Sequence, residues 1–121
     1  MVTIASEILT RTTRATIEWA SEHLELSYDQ IGSVLSVDRR TVHRWKSAES
    51  RPSRRHQESI ERLMQIRYLL DSVFRDQEAA VVWLHSPVPA LKGRTPLGVL
   101  KEGRLDEVIE ALATIETGAV V

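Results

Sequence analysis

The chain reads as all-α: an opening helix, a pair of short helices, a long connecting helix and a small carboxy-terminal helical unit. Three observations support this. Leu9, Thr13, Ile17, Ala20 and Leu24 recur at spacings of three and four, which makes one helical stripe. No stretch alternates with period two for long enough to make a convincing strand. Helix-start residues punctuate the chain at Ser27, Asp38, Asp76 and Thr95.

Each later element follows from its caps. Ser27 with Gln30 three residues on forms a capping box, and Leu26 with Ile31 has the spacing of a hydrophobic staple. This predicts a helix from Tyr28 to near Leu35. Only Ser36 and Val37 precede the next cap, Asp38, so a second short helix is expected from about Arg39 to Ser47. Pro52 drives Arg51 out of the helical region and ends that segment. A long helix is predicted over about 53–74, with Ile60, Leu63, Met64, Leu70 and Phe74 along one face. Its wider apolar surplus (also Ile66, Tyr68 and Leu69) fits either an intersubunit or interdomain surface or the central helix of a single core. Asp76 caps a shorter helix ending near His85, and Pro87 and Pro89 stop it. Thr95-Pro96 places an N-cap before a proline at the first helical position. Gly103 is a ready stop for that short helix. A last helix over about 106–116 carries Leu105, Val108, Leu112 and Ile115 inward, and Gly118 ends it.

Composition bounds the function. The chain has 121 residues, 42% hydrophobic and 27% charged, and no cysteine. That is close to the globular average and excludes wholesale disorder. It also excludes disulfides, thiolate zinc sites and cysteine nucleophiles. No apolar run approaches the ~18 residues that span a bilayer. The first residues lack a basic region followed by an apolar one, so no secretory signal is expected and the cytoplasm is the expected location. His23, His43, His56 and His85 are scattered without metal-ligand spacing, and no phosphate-binding glycine loop or nucleophile elbow occurs. No catalytic residue, metal site or cofactor is therefore expected, and the chain is not read as an enzyme.

The formal net charge of −1 hides strong segregation. Residues 1–38 carry −4, residues 39–56 carry +6, residues 57–99 are neutral and residues 100–121 carry −3. An 18-residue cationic block on an acidic chain is the footprint of a phosphate-binding surface. The plainer alternative is a solvated basic face.

Two short helices joined by a tight turn, the second rich in arginine, form a helix-turn-helix pattern. Ile31, Leu35, Val37, Val42 and Trp45 make a small apolar wedge, and Gly32 allows close helix approach. Val42 and Trp45 then point inward, and Arg40 and His43 point outward, flanked by Arg39 and Arg44. Arginine reads guanine or clamps phosphate. Arg51, Arg54 and Arg55 suit phosphates at the groove edge, and Gln30 is a further base or phosphate candidate near a helix start. With Thr41 and Lys46 these complete the candidate DNA-binding residues. The structural alternative is a helical hairpin with a cationic surface.

The stretch over about residues 27–52, carried by Leu26 to Trp45, resembles the Xre-type (phage-repressor-like) helix-turn-helix. It departs from that pattern at Gly32, where a small residue such as alanine is usual, and at Ser36, where the turn usually has glycine. A serine in a left-handed turn costs about 1 kcal/mol. Residues 76–121 carry a second resemblance. Trp83-Leu84-His85-Ser86-Pro87-Val88-Pro89-Ala90-Leu91-Lys92-Gly93-Arg94-Thr95-Pro96-Leu97, followed by Gly103-Arg104-Leu105-Asp106-Glu107-Val108 and Ile115-Glu116-Thr117-Gly118, is similar to the antitoxin Xre/MbcA/ParS toxin-binding domain. Val88 stands where the family often has asparagine.

The resemblance implies three regions: residues 1–56 for DNA, residues 57–75 as a connecting or dimerisation helix, and residues 76–121 for a toxin. It implies an antitoxin of a type II system that occludes a RES-domain, NAD-consuming toxin encoded by the adjacent gene. It further implies a homodimer that represses its own operon by binding double-stranded operator DNA, with no membrane partner. Candidate toxin-binding residues are Lys92, Arg94, Arg104, Glu107, Glu110, Glu116 and Val121. A cleft that attracts an anionic dinucleotide is expected to be basic, and the acidic carboxy-terminal segment complements it. Trp83 is read first as core, and Arg94 reads equally as a structural arginine satisfying loop carbonyls. The rival reading is a stand-alone helix-turn-helix repressor with no toxin.

Overall fold

A computed structural model of the chain describes residues 4–118, with the side chains of residues 7–118. The described residues form seven α-helices, and no strand occurs among them. They divide into two compact units between Ile60 and Glu61, within one helix.

The first unit contains α1 (Ile4–Glu22), α2 (Tyr28–Leu35), α3 (Arg39–Lys46) and the start of α4 (Arg54–Val73). Helices α1, α2 and α3 pack on one another. Thr13, Ile17, Ala20 and Leu24 of the opening stripe are buried, and Leu9 is half-buried. The staple pair Leu26 and Ile31 is buried, as are Leu35, Val42 and Trp45 of the wedge; Val37 is half-buried. Burying a Val, Leu or Ile side chain stabilises by roughly 1.5–3 kcal/mol. The wedge therefore holds the two short helices, which are too short to persist alone.

The second unit contains the rest of α4, then α5 (Gln77–Leu84), α6 (Pro96–Lys101) and α7 (Leu105–Glu116). A single 3₁₀ turn, Pro89–Leu91, lies between α5 and α6 and packs on α7. Asp76 and Thr95 cap their helices as expected, accepting hydrogen bonds from the N–H groups of Ala79 at 2.9 Å and Gly98 at 3.1 Å. Gly103, at φ 78°, terminates α6, and Gly118 follows α7 at the same φ. Leu105, Val108 and Leu112 are buried, and Ile115 is half-buried.

The apolar surplus of α4 resolves into two faces. Ile60, Leu63, Ile66, Leu69 and Leu70 are buried. Met64, read from sequence as lining the Leu63–Leu70 face, is instead 38% exposed, and Tyr68 is 67% exposed. At about 100° per residue, Met64 and Tyr68 fall on the side opposite Ile66 and Leu70. Phe74 is half-buried, with its ring 5.6 Å from that of Trp83. Arg62 Nε donates to Asp106 Oδ1 at 2.8 Å and joins α4 to α7.

Candidate functional sites

The first candidate surface is built on α2, the turn and α3. The capping box forms in full: Gln30 N donates to Ser27 Oγ at 3.1 Å, and Ser27 N donates to Gln30 Oε1 at 2.9 Å. Gln30 is thus a cap whose side-chain oxygen is already engaged, which leaves its amide N–H₂ to meet a ligand. Ser36 adopts the left-handed conformation at φ 60°, ψ 42°, and Val37 N donates to Gly32 O at 2.9 Å. A Cβ on Gly32 would stand 2.5 Å from Val37 O, so the turn passes directly over that glycine.

Asp38 Oδ1 accepts from Thr41 N at 2.8 Å and starts α3. The hydrogen bonds from Thr41 hold the Asp38 carboxyl below its ordinary value, with smaller help from Arg44 and Arg40. Val42 and Trp45 are buried, whereas Arg39, Arg40, His43 and Arg44 are all exposed. Thr41 is half-buried. The Tyr28 ring packs edge-on against His43, with centroids 4.5 Å apart, so the start of α2 braces the exposed face of α3. The sequence reading overlooked Tyr28, because no local spacing signals a contact between two helices.

The remaining cations differ in their freedom. Lys46 Nζ lies 2.9 Å from Glu18 Oε1, so it links α3 to α1, and this bond lowers the Glu18 pKa. Arg51, Arg54 and Arg55 are exposed around the start of α4. Pro52 between them is buried, Gln57 Nε2 donates to Pro52 O at 3.1 Å, and the His56 ring packs 5.5 Å from Trp45. The chain segment bearing these arginines is therefore anchored even though their guanidinium groups reach solvent.

The second candidate surface is the 88–95 loop with α7. The loop closes on itself: Val88 N donates to Arg94 O at 3.1 Å, and Gly93 N donates to Val88 O at 3.0 Å. Lys92 is exposed at φ 59°, beside Gly93 at φ 81°. Arg94 Nε donates to Leu91 O at 2.9 Å, and Arg94 Nη2 donates to Glu107 Oε1 at 2.7 Å. Arg94 thus has the structural role of satisfying a loop carbonyl, and it also tethers the loop to α7. Arg104 Nη1 reaches Glu107 Oε2 at 3.4 Å, and Arg104 Nε lies 3.4 Å from Glu102. The Arg94 hydrogen bond, reinforced by its charge and by Arg104, holds the Glu107 pKa down. Arg94, Arg104 and Glu107 largely neutralise one another.

Glu110 and Glu116 are exposed, and no ion pair engages either among the described residues. Val121 lies outside the described residues. Ala90, Leu91, Glu107, Glu110, Ala111 and Thr114 line an open cavity of about 200 Å³ between the 3₁₀ turn and α7. This is smaller than the ~300–1,000 Å³ of a typical small-molecule site. Among the described residues no group of three or more side chains is placed to hold a metal ion, and no helix is long and apolar enough to cross a membrane.

Residues 69–118 match the model of the antitoxin Xre/MbcA/ParS C-terminal toxin-binding domain. Over those residues the chain is similar to the Xre/MbcA/ParS antitoxins. The mycobacterial cidal antitoxin MbcA of Mycobacterium tuberculosis, and that of Mycobacterium bovis, are 29% identical over 111 residues, spanning 88% of this chain and 94% of each relative. Antitoxin similarity thus extends well beyond the matched domain. The crystal structure of the M. tuberculosis MbcT–MbcA toxin–antitoxin complex contains a chain that superposes with a TM-score of 0.66 at 26% identity, covering 89% of this chain and 96% of that one. Within the matched residues fall the 88–95 loop and Lys92, Arg94, Arg104, Glu107, Glu110 and Glu116. The α3 arginines lie outside it.

Proposed function

We propose that the chain is the antitoxin of a type II toxin–antitoxin system. Its carboxy-terminal unit binds and occludes a RES-domain, NAD-consuming toxin, and its α2–α3 helix-turn-helix binds operator DNA to repress its own operon. The observation that carries the reading is the match over 69–118 to a toxin-binding domain, together with near-full-length similarity to an antitoxin solved with its toxin.

Neutralisation is steric and electrostatic in this reading. Glu110 and Glu116, which no ion pair engages among the described residues, are the anions offered to a basic cleft, and Lys92 projects from the tightly closed loop. Glu107, Arg94 and Arg104 act chiefly by holding that surface in shape. The DNA reading rests on the exposed Arg39, Arg40, His43 and Arg44 of a helix whose opposite face is buried, with Arg51, Arg54 and Arg55 on adjacent phosphates. Two copies act together on a palindromic operator, because one such unit offers limited affinity.

Co-expression with the adjacent gene, followed by co-purification and gel shift on the upstream intergenic DNA, tests both halves. A stable complex and a shifted band are expected. A shifted band without any toxin complex would identify a stand-alone repressor instead. Glu110→Lys and Glu116→Lys weaken the toxin complex and reduce its salt sensitivity; an unchanged affinity and salt slope contradict the electrostatic part.

A further inference from the structure

The cavity of about 200 Å³ beside α7 has two chemically different sides. Glu107, Glu110, Ala111 and Thr114 occupy positions i, i+3, i+4 and i+7 of α7, so at 100° per residue they share an arc of about 100°. The 3₁₀ turn packed on α7 supplies the other wall, Ala90 and Leu91. Leu91 and Ala111 are buried and form an apolar floor. Glu107 and Thr114 are half-buried, and Ala90 and Glu110 are exposed at the mouth. The space is there because small side chains, Ala90 and Ala111, stand on both walls.

The polar side chains lining it are all acceptors. An ionised carboxylate has no proton to give. Thr114 Oγ1 already donates to Glu110 O at 2.8 Å, which leaves only its lone pairs. Both charged residues that line the cavity are acidic. Arg94 and Arg104 hold Glu107, but no ion pair engages Glu110 among the described residues.

Such a cavity selects its occupant by size and by charge. A dry cavity of about 150 Å³ admits one benzene ring, so this one admits a single side chain and excludes a helix or a strand. The floor suits methylene groups, and the rim suits donors. An arginine supplies both: an apolar stem and five N–H donors in one plane, enough to reach a carboxylate and a hydroxyl together. A lysine ammonium is more strongly hydrated and costs more to seat. We propose that the cavity is a socket for one arginine side chain of the toxin. Its stem lies along Ala90, Leu91 and Ala111, and its guanidinium donates to the Glu110 carboxylate and to Thr114 Oγ1. Glu107 stays with Arg94 and adds negative potential to the wall. This assignment rests on the reading that the carboxy-terminal unit binds a toxin, and the cavity lies wholly within the residues that match a toxin-binding domain. A filled pocket at the centre of a contact carries far more of the binding energy than scattered surface charges do. A neutral substitution that fills the socket therefore acts as strongly as the loss of its charge.

Full-length Ala90→Leu, Glu110→Gln and the double variant are titrated against the toxin that the proposed reading assigns to the adjacent gene, across a salt series. Ala90 is exposed, so its replacement leaves the fold intact, and circular dichroism of each free variant verifies this. Each single variant raises the dissociation constant of the complex about tenfold or more. The double variant is no weaker than the weaker single one, because either change already unseats the arginine. Ala90→Leu also flattens the salt dependence, although it alters no charge on this chain, because it expels a charged partner. Replacing each arginine of the toxin in turn by methionine identifies the occupant: one replacement weakens the complex with the wild-type chain and has no effect on the complex with Glu110→Gln. An unchanged affinity or salt slope for Ala90→Leu, additive losses in the double variant, or no such arginine in the toxin overturns the socket and leaves the toxin-binding reading standing. Failure of the wild-type chain to bind the toxin overturns both.

Discussion

The backbone oxygen of Val37 stands 2.5 Å from where a Cβ on Gly32 would be, so the connection between α2 and α3 is shaped around a missing methyl group. Gly32→Ala cannot be relieved by rotating a side chain, because the obstacle is backbone. The variant loses about 1–3 kcal/mol, the usual cost of overpacking, visible as a lower melting temperature. Operator affinity falls with it, because the turn that orients α3 must move. Equal stability of variant and wild type would mean that the turn relaxes freely.

Ser36 provides the opposite case. It holds φ 60° without being glycine. Ser36→Gly removes the left-handed penalty of roughly 1–2 kcal/mol and adds unfolded-chain entropy worth about half of that. The net outcome is a stabilisation of roughly 0.5–1 kcal/mol, measured by denaturant unfolding. A loss of stability would show that the Ser36 side chain contributes something beyond its backbone geometry.

Arg94 and Glu107 give the carboxy-terminal unit a pH dependence. The Glu107 pKa is depressed below the ordinary value of 4.5, so its contribution is present above that value. It is lost as pH falls through the lower folded-state pKa. Arg94→Ala therefore lowers the melting temperature most at neutral pH, and the gap from wild type closes in acid below pH 4.5. Arg94→Lys keeps the charge but loses the forked geometry that reaches both Leu91 O and Glu107, so it rescues only in part. A gap that widens on acidification contradicts this assignment.

The cations of the first unit separate by role. Arg40→Ala lowers affinity for the cognate operator by about 1–3 kcal/mol and relaxes sequence preference, as expected for a residue reading a base. Arg54→Ala weakens binding to all sequences and flattens the salt slope by about one unit. Lys46→Ala changes DNA affinity less than Arg44→Ala does, because Lys46 is held by Glu18. Gel shifts across a salt series measure all four, and a Lys46→Ala effect as large as that of Arg44→Ala would remove the distinction.

What was legible in the sequence was local. The caps at Ser27, Asp38, Asp76 and Thr95 lie within three residues of the N–H groups they satisfy, so spacing alone revealed them and the helix starts they define. The close approach at Gly32 also followed from residue size, whereas the left-handed Ser36 followed only from the resemblance, whose turn usually has glycine at that position. The pairings Lys46–Glu18, Arg62–Asp106 and Arg94–Glu107 were not legible, because each joins elements brought together only by packing. For the same reason, spacing could not tell which apolar residues of α4 would remain exposed. On α3 the helical period already separated the buried Val42 and Trp45 from the outward Arg40 and His43, and what the structure added was the tether that holds Lys46 to Glu18. The carboxy-terminal surface was read as a net charge, and its arginines and Glu107 proved to be largely occupied with one another.

Growth of cells expressing the toxin that the proposed reading assigns to the adjacent gene tests the central claim most directly. On the proposed reading, the wild-type chain and an Arg39→Ala/Arg40→Ala/Arg44→Ala variant that no longer binds operator should both restore growth, because that reading assigns neutralisation to the carboxy-terminal unit. Continued killing in the presence of abundant, folded wild-type chain would contradict the account.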